Sequence, residues 1–448
     1  MDYSQKKIVV VGAGLSGLAL VRFFCGKGAR VTLTDRREES QLIGLDYLAD
    51  CDLSLELGGH NLESFRQADL IAVSPGVPLN IEPLIEARKA SVPLLGEVEI
   101  AARELSAPMI AVTGTNGKST TTSLIGEMLG GWGRSCFVGG NLGTPLISAC
   151  GVDFDSLVVE LSSFQLETID RFSPDFALML NLSEDHLDRY PDFESYLAAK
   201  EAIFRNMGRG QYAILNDNDG RVRELAVPVA VKKIWFSSLR LLDEGMGRRD
   251  DHLVWRWQGE EARFDLNQLK LKGDHNIENV MAALIAPLVM GMPAELAWQQ
   301  VCRFRGLPHR MQEISTYNNA RWFNDSKGTN VGSVVKSLAG LQPPVTLIAG
   351  GKDKGGDYAP LRDLLRLKVA SLILMGEAAD RMTAVLGDCC PTHQVTTMAE
   401  AVSLAAQATM GGGTVLLSPA CSSFDMYSSY EARGEDFVAQ VKKLEGRG

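Results

Sequence analysis

The chain of 448 residues has no excess of positive charge. Lys and Arg number 45 against 55 Asp and Glu, for a net charge of −10. That balance argues against a nucleic-acid-binding surface as the main function, while leaving room for local basic pockets that take anionic substrates. The eight cysteines (Cys25, Cys51, Cys136, Cys150, Cys302, Cys389, Cys390, Cys421) include no C-x-x-C and no ligand-like spacing to histidine. They read as reduced thiols of a cytosolic protein rather than a disulfide or zinc framework. MDYSQKK leads straight into a strand, with no apolar segment of signal-peptide type behind a charged start, so secretion is not expected. The longest apolar stretch, 280–294, contains Pro287 and is too short to span a bilayer; a buried helix explains it better. No repeat of solenoid period and no low-complexity tract is present. With 45% hydrophobic and 22% charged residues, the chain has the composition of an ordinary globular protein long enough for several domains.

The first motif is IVVVGAGLSGLAL at 8–20. An apolar run ends in Gly12-Ala13-Gly14-Leu15-Ser16-Gly17, and Asp35 follows eighteen residues after the last glycine. By itself this is a dinucleotide-binding fingerprint, and it raises an NAD-dependent oxidoreductase as one reading. Around it, IVVVG, ARVTLTD (29–35) and ADLIAVSPG (68–76) alternate with helical patterns. Such βαβ alternation implies a parallel sheet.

A second α/β unit opens at PMIAVTG (108–114), with further strands expected at 156–163 and 176–183. Residues 230–271 are choppier and Trp-rich, and are expected to form an antiparallel excursion before a core helix at 276–290. RGLPHRMQ (305–312) marks a domain junction. A third unit starts at WFNDSKGTN and runs through VTLIAGGKDKG, ASLILMG and GTVLLSPA, again with a parallel-sheet pattern. The expected architecture is three α/β domains in series: a Rossmann-like domain at 1–96, a central P-loop ATPase-type parallel sheet at 97–306, and a Rossmann-like C-terminal domain at 307–448.

The stronger chemical signal is TGTNGKSTT at 114–122, preceded by Val112 and Thr113. Its glycines let backbone N–H groups close around phosphate at a helix N-terminus. Lys118 can neutralise charge on terminal phosphates, and the Ser119 hydroxyl can hold Mg²⁺. Val112 stands where the standard P-loop has its first glycine, so this loop is a shorter variant. Glu160 in VVELSSFQ and His186 in NLSEDHLDRY follow strand ends. Each alone is most often a solvated or hydrogen-bonded side chain; together, in the sheet of the phosphate loop, they point toward metal ligation. Lys200 in SYLAAKEAIF is by itself an ordinary surface lysine. Asn276 and Asn279 share one helix face at i, i+3; Asn276 fits a helix cap, and the pair fits an adenine reader. Arg310, Asp325, Lys327 and Lys354 gather charge near the junction and strand ends. Bringing ATP to a carboxylate joins two anions, and such a basic set with Mg²⁺ offsets their repulsion.

TGTNGKST, ELSSFQL, NLSEDHLDRY with AAK downstream, GDHNIENVMAA, LPHRM, NDSKGTN, GGKDKG and SPACSSFD together resemble the Mur ligases of peptidoglycan synthesis, in order along the whole chain. The loop variant is shared across that superfamily, including folylpolyglutamate synthase. GAGLSG with Asp35, NDSKGTN and SPACSSFD point to its D-glutamate-adding branch, and the D-N-P-R motif of the diaminopimelate-adding branch is absent. The resemblance implies a cytoplasmic, monomeric ATP-dependent ligase that joins D-glutamate to UDP-N-acetylmuramoyl-L-alanine through an acyl phosphate and a tetrahedral intermediate. It implies ATP held by Gly114, Thr115, Asn116, Gly117, Lys118, Ser119 and Thr120, with Asn276 and Asn279 on adenine, Arg310 on the terminal phosphate and Asp325 on the nucleotide. It implies two Mg²⁺ ions, one on Ser119 and Glu160, the other on His186 and a Lys200 carbamylated by CO₂. Lys118, Glu160, His186, Lys200 and Arg310 would then be the catalytic set. Gly14, Leu15, Ser16, Asp35, Arg36, Arg37, Gly76, Asn141 and Ser162 would hold the UDP-sugar substrate. Lys327, Thr329, Lys354, Ser423 and Phe424 would form the D-glutamate site. A close rival keeps this chemistry and changes the amino acid. The oxidoreductase reading leaves TGTNGKST, His186 and the third unit without a task. A third reading, a non-catalytic ATP-gated binding module, would be excluded by substrate-dependent phosphate release that is absent without D-glutamate.

Overall fold

The structure is a computed structural model that describes residues 2–187, 189–271, 273–409 and 411–446. Among these residues the chain builds three sheets and divides into two compact units. One unit comprises the chain up to Asn181 with Leu197–Gln268 and Glu278–Cys302; the other comprises Leu182–Tyr196, Leu269–Ile277 and the chain from Arg303 onward. The first unit contains the first two sheets, and the second unit the third.

The first sheet holds β1 (Lys7–Val11), β2 (Arg30–Asp35), β3 (Leu53–Leu57), β4 (Leu70–Val73) and β5 (Leu94–Gly96), in the order β3-β2-β1-β4-β5. All its pairs are parallel. The interior strands β1 and β4 are nearly continuous apolar runs, as a sheet covered on both faces requires. The order reverses at β1, so the glycine loop after Val11 lies at a topological switch point, where open α/β sheets place their ligands.

The second sheet has the order β14-β13-β12-β11-β10-β9-β6-β8-β7. Its strands are β6 (Met109–Thr113), β7 (Cys136–Gly140), β8 (Ser156–Glu160), β9 (Phe176–Met179), β10 (Tyr212–Asn216), β11 (Lys232–Phe236), β12 (Gly245–Arg249), β13 (His252–Trp257) and β14 (Glu260–Asp265). The strand before the phosphate loop, β6, sits between β8 and β9, parallel to both. The antiparallel excursion is shorter than expected from 230–271. β11 runs parallel to β10 and to β12, and only β12 to β14 pair antiparallel. The core helix is Asp274–Val289 rather than 276–290. Asn276 is therefore inside its first turn and is no cap; its N–H donates to the Gly273 carbonyl at 3.0 Å.

The third sheet has the order β15-β16-β20-β17-β18-β19. Its strands are β15 (Gln312–Tyr317), β16 (Ala320–Asn324), β17 (Val345–Gly350), β18 (Val369–Met375), β19 (Thr392–Gln394) and β20 (Gly413–Leu417). It is not wholly parallel: β15 precedes WFNDSKGTN and pairs antiparallel with β16, while the other pairs are parallel. No helix among the described residues is long and apolar enough to cross a membrane, and no cysteine among them forms a disulfide.

In the first unit, the chain leaves the first sheet through the helix Glu97–Glu104, which carries two buried acids. Glu99 Oε2 accepts from the N–H groups of Asp170, Arg171 and Phe172 at 2.8, 3.0 and 2.9 Å, and its Oε1 accepts from Arg103 Nε. Glu97, 1% exposed, has only backbone support, with its Oε1 accepting from Ile147 N–H at 2.6 Å. Burial pushes its carboxyl up to about 7, against the partial opposition of the Ile147 and Leu146 N–H groups. The folded value lies above the ordinary 4.5, so folding favours the protonated acid. Its contribution is present below that ordinary value and is lost as pH rises toward 7. The cost above pH 7 is on the order of 3 kcal/mol. Glu97→Gln is expected to raise Tm at pH 8 and to flatten the stability profile between pH 5 and 7. Thermal melts across that range check this, and parallel profiles for the two proteins would exclude it.

Candidate active site

The three glycines of the first loop do three different things. Gly12 turns the chain at φ +95°. A Cβ on Gly17 would lie 1.8 Å from the Gly12 carbonyl oxygen, so only glycine packs there. A Cβ on Gly14 would meet nothing within 4 Å, so the backbone is open on that side. Gly14 precedes the helix Leu15–Gly26, whose N-terminus has no side-chain cap. Exposed amides at a helix start suit a diphosphate. Leu15 is 74% exposed beside them. Asp35 is buried, accepting from Ala13 N–H at 2.8 Å and from Arg37 through its backbone N–H, Nε and Nη2 at 2.8–2.9 Å. Burial opposes its ionisation, but the Arg37 guanidinium and these amides prevail and hold the carboxyl well below its usual range. Asp35 thus fixes the loop and Arg37 together; Arg36, next in the chain, and Gly76, beyond the end of β4, are both exposed. The sequence reading missed Ser74, whose hydroxyl donates to the Gly12 carbonyl at 2.9 Å.

At the end of β6 the phosphate loop is held from both neighbouring strands. Gly114 and Gly117 have φ of +141° and +88°, and Gly117 stands before the helix Lys118–Gly131 without any side-chain cap. Lys118 Nζ donates to the carbonyls of Gly114 and Thr115 at 3.0 and 2.8 Å. From the β9 side Asn181 clamps the loop three times. Its carbonyl accepts from Thr115 N–H at 2.8 Å, its Oδ1 accepts from Asn116 N–H at 2.8 Å, and its Nδ2 donates to the Asn116 carbonyl at 3.0 Å. Asn181 was not among the expected site residues, although it begins NLSEDH at a strand end.

From the β8 side come Glu160 and Asn141. Glu160 is 1% exposed and its Oε1 accepts from Asn141 Nδ2 at 2.6 Å. Asn141, expected at the UDP-sugar, is thus tied to the expected metal carboxylate. Ser119 is also 1% exposed. Ser162 caps the short helix Ser163–Leu166 reciprocally with Gln165. Thr120 is buried in the loop's helix. Ser119 and Glu160 offer hard oxygen donors of the kind Mg²⁺ takes. Among the described residues no three His, Cys, Asp or Glu side chains gather as a metal site. A protein set of so few donors fits a cation whose remaining positions go to phosphate and water oxygens.

Lys200 corrects the surface reading. It lies on the helix Phe193–Glu201, is 2% exposed, and donates from Nζ to the Gly114 carbonyl at 2.8 Å. Asn279, 6% exposed, packs against the loop as well: a Cβ on Gly117 would lie 2.1 Å from its Oδ1. Gly117→Ala therefore meets both a left-handed φ and a collision. We expect its KM for ATP to rise at least about fivefold, since a non-glycine residue held there costs about 1–3 kcal/mol. Steady-state kinetics against ATP measure this, and an unchanged KM would contradict the loop's assigned role.

In the second unit the sheet order does the gathering. β16, β20 and β17 are neighbours, and they lead into NDSKGTN, SPACSSFD and GGKDKG. Arg433 binds two of these loops together. Buried at 2% exposure, it donates to Ser326 Oγ and carbonyl, to the Cys421 carbonyl at 3.2 Å and to the Ser422 carbonyl at 3.1 Å. Lys327 Nζ donates to Tyr430 Oη at 2.9 Å and stands 4.4 Å from that ring's centre. Thr329 N–H donates to the Lys327 carbonyl at 2.8 Å. Lys354 Nζ lies 3.4 Å from Asp185 Oδ1, and Asn330 Nδ2 donates to Asp185 Oδ2 at 3.1 Å. Asp185, Asn330, Tyr430 and Arg433 were not anticipated; the first two stand inside motifs already singled out. Ser423 is 2% exposed and Phe424 is 68% exposed.

His186 does not sit at a strand end. It lies seven residues beyond Met179 in an irregular segment, with φ +56°, and its Nε2 is 3.8 Å from Asp185 Oδ2. Arg310 sits between two left-handed residues, His309 and Met311 (φ +60° and +43°). Asp325 faces inward. Its carboxylate accepts from Ser418 Oγ, Ser337 Oγ and Met311 N–H at 2.7, 2.8 and 3.2 Å, and burial pushes its carboxyl up despite those donors. This geometry braces the LPHRM segment. Asn276 falls in the second unit's share of its helix, and Asn279 in the first unit's share.

Comparison with known proteins matches this arrangement domain by domain. Residues 6–96 match the N-terminal domain of MurD-like Mur ligases, 112–287 the Mur ligase middle domain, and 309–421 the Mur ligase glutamate ligase domain. The UDP-N-acetylmuramoylalanine–D-glutamate ligase of Syntrophotalea carbinolica is 55% identical over the whole of both chains. That of Geotalea uraniireducens is 48% identical over 99% of each. Among solved structures, UDP-N-acetylmuramate-alanine ligase MurC from Thermotoga maritima superposes with TM-score 0.60 at 18% identity, covering 98% of this chain and all of the other. MurF ligase from the same organism, in complex with ADP, gives TM-score 0.60 at 15% identity over 94% and 96%. At such identities these two structures speak for the fold.

Proposed function

The chain belongs to the Mur ligase family, and from that premise we propose that it adds D-glutamate to UDP-N-acetylmuramoyl-L-alanine in peptidoglycan precursor synthesis, with release of ADP and phosphate. The enzyme is an ATP-dependent ligase that works as a cytoplasmic monomer. The observation that carries this reading is the phosphate loop at the end of β6, with Lys118 over its carbonyls, Asn181 on one side and Glu160 on the other.

The loop amides from Gly114 to Thr120 wrap the ATP phosphates, and Lys118 moves from the Gly114 and Thr115 carbonyls onto the phosphoryl oxygens. Asn276 and Asn279 serve the nucleotide end, with Arg310 on the terminal phosphate. Asp325 acts on the nucleotide only through the LPHRM segment it braces. Ser119 and Glu160 would hold one Mg²⁺, and His186 with a carbamylated Lys200 a second. When bound, these ions offset the charge of phosphates and carboxylate brought together. Carbamylation turns the Lys200 ammonium into an oxygen donor, which is the kind of ligand Mg²⁺ takes. The amides of Leu15 and Ser16 receive the substrate diphosphate beside Gly14, Asp35, Arg36, Arg37 and Gly76, with Asn141 and Ser162 toward the reacting end. The substrate carboxylate attacks the γ-phosphorus of ATP and ADP departs. The D-glutamate amine, positioned by Lys327, Thr329, Lys354, Ser423 and Phe424, then attacks the acyl carbon. The tetrahedral intermediate expels phosphate.

The test is phosphate release with ATP, Mg²⁺ and UDP-N-acetylmuramoyl-L-alanine against a panel of amine donors. D-glutamate is expected to support turnover at least about a hundredfold above L-alanine, diaminopimelate or D-Ala-D-Ala, because a pocket built for two carboxylates leaves buried polar groups unpaired with any other donor. Equal or greater turnover with another donor would move the chain to a different branch.

A further inference from the structure

Arg433 carries a charge at the meeting point of the third sheet's loops, and no carboxylate sits on it. The residue lies in the helix Tyr430–Glu445 and is 2% exposed. Its Nε donates to Ser326 Oγ at 3.0 Å and its Nη2 to the Ser326 carbonyl at 2.8 Å. The Cys421 and Ser422 carbonyls accept from Nη2 and Nη1 at 3.2 and 3.1 Å. GGKDKG closes over the same group: a Cβ on Gly351 would lie 3.0 Å from Arg433 Nη1. Every one of these acceptors is neutral, and among the described residues Arg433 makes no ion pair. Asp425 acts on it from a distance, with its own Oδ2 engaged by the Glu377 N–H at 2.9 Å. Asp185 lies with Lys354, and Glu431 feels Lys327. Burial outweighs the pull of Cys421, Asp425 and Tyr427 and lowers the guanidinium to about 10, so it stays protonated at neutral pH. A buried cation held by neutral groups alone is under-compensated.

The charge has an outlet toward the loop that follows. The Ser422 carbonyl and the Ser423 N–H belong to one peptide group. A guanidinium on the carbonyl end polarises that group and strengthens the N–H at the other end as a donor. Among the described residues the Ser423 N–H, the Phe424 N–H and the Ser423 hydroxyl have no hydrogen-bond partner, and Ser423 is 2% exposed. Successive free N–H groups in a turn, beside a free buried hydroxyl, suit a carboxylate.

We propose that Arg433 is a specificity-determining residue for the amine donor: its charge, set behind the Ser422–Ser423 peptide, selects a donor whose side chain ends in a carboxylate over one that ends in an amide. The proposal rests on the D-glutamate reading above. Arg433 does not touch the donor; it acts through the peptide groups it holds, and so is a positioning residue. A tie that only braced the loops would serve both donors alike.

The experiment measures kcat/KM for D-glutamate and for D-glutamine by phosphate release, with saturating ATP and UDP-N-acetylmuramoyl-L-alanine, in the full-length protein. Arg433→Gln keeps a donor and loses the charge. It is expected to lower the D-glutamate to D-glutamine ratio at least about fivefold, because charge-assisted hydrogen bonds are about twice as strong as neutral ones. The KM for ATP is expected to stay unchanged. Arg433→Lys keeps the charge and is expected to keep most of the ratio, even where both rates fall. Asp425→Asn removes the one distant acid that pulls on Arg433 while keeping an acceptor for Glu377, and is expected to raise the ratio. That variant decides the matter should Arg433→Gln not fold. An unmoved ratio in Arg433→Gln, a ratio lost equally in Arg433→Lys, or a ratio unmoved or lowered in Asp425→Asn would overturn the proposal. Wild-type protein that does not use D-glutamate would instead overturn the donor assignment itself, before any variant is made.

Discussion

Lys118→Ala is expected to lower kcat/KM at least about a thousandfold with little change in Tm. The magnitude follows from removing a preorganised positive charge from a phosphoryl-transfer transition state. In the structure Lys118 Nζ spends its hydrogen bonds on two carbonyls of its own loop, those of Gly114 and Thr115. Those bonds run within the loop and, on this account, are given up when Lys118 turns to the phosphoryl oxygens, so they do not account for such a loss of rate. The rest of the loop keeps its support from Asn181 on Thr115 and Asn116. ATP binding should therefore weaken less than turnover falls. Steady-state kinetics beside a thermal melt separate the two effects. A variant with near-normal kcat would remove Lys118 from the chemistry and with it the ATP-site assignment.

The second large effect concerns Lys200. Lys200→Ala is expected to cost at least about a hundredfold in kcat, from the loss of a charged group at the phosphoryl-transfer site. Two accounts of that loss make opposite predictions about rescue. If Lys200 works as a carbamate, acetate or propionate should restore part of the rate and lower the Mg²⁺ requirement. If it works as the ammonium that donates to the Gly114 carbonyl, small amines should rescue and carboxylates should not. The proposal here is the carbamate. Rescue by methylamine alone, with unaltered Mg²⁺ dependence, would exclude it.

The contrast between Lys118 and Lys200 shows what the sequence can carry. Lys118 is defined by its immediate neighbours: a glycine, a hydroxyl and the start of a helix, all within a few residues. Local conformation dictates its place, so spacing alone found it. Lys200 depends on a partner far away in the chain, the carbonyl of Gly114. A helical lysine has no local mark of burial, so only the family resemblance singled it out. Asn181 was missed for the same reason. Its clamp on Asn116 forms because β9 lies beside β6, an adjacency that no run of residues records. The third sheet repeats this lesson. NDSKGTN, GGKDKG and SPACSSFD were each legible as strand-end loops. That they converge depends on β20 inserting between β16 and β17. Arg433, which ties Ser326 to Cys421 and Ser422, reads as one more arginine on an amphipathic helix until that order is known. His186 was misplaced because strand periodicity gives element existence better than element ends: β9 stops at Met179, and the chain beyond it is irregular.

The glycine loop at Gly12–Gly17 illustrates the opposite limit, where local physics is legible and still underdetermines function. An open Gly14, a packed Gly17 and an uncapped helix start will take any diphosphate next to a ribose. NAD and a UDP-sugar share that element. The assignment to a UDP-sugar rests on the rest of the chain: the phosphate loop of the second sheet, and the three loops of the third.

One measurement tests the central claim directly, that the substrate carboxylate is activated by phosphorylation and then captured by D-glutamate. UDP-N-acetylmuramoyl-L-alanine labelled with ¹⁸O in its carboxylate is turned over with ATP, Mg²⁺ and D-glutamate, and both the inorganic phosphate and the nucleotide product are weighed by mass spectrometry. The expected result is one ¹⁸O in each phosphate released, one retained in the new amide, and a product heavier by one glutamyl residue. Unlabelled phosphate, or ATP hydrolysis with no glutamyl product, would contradict it.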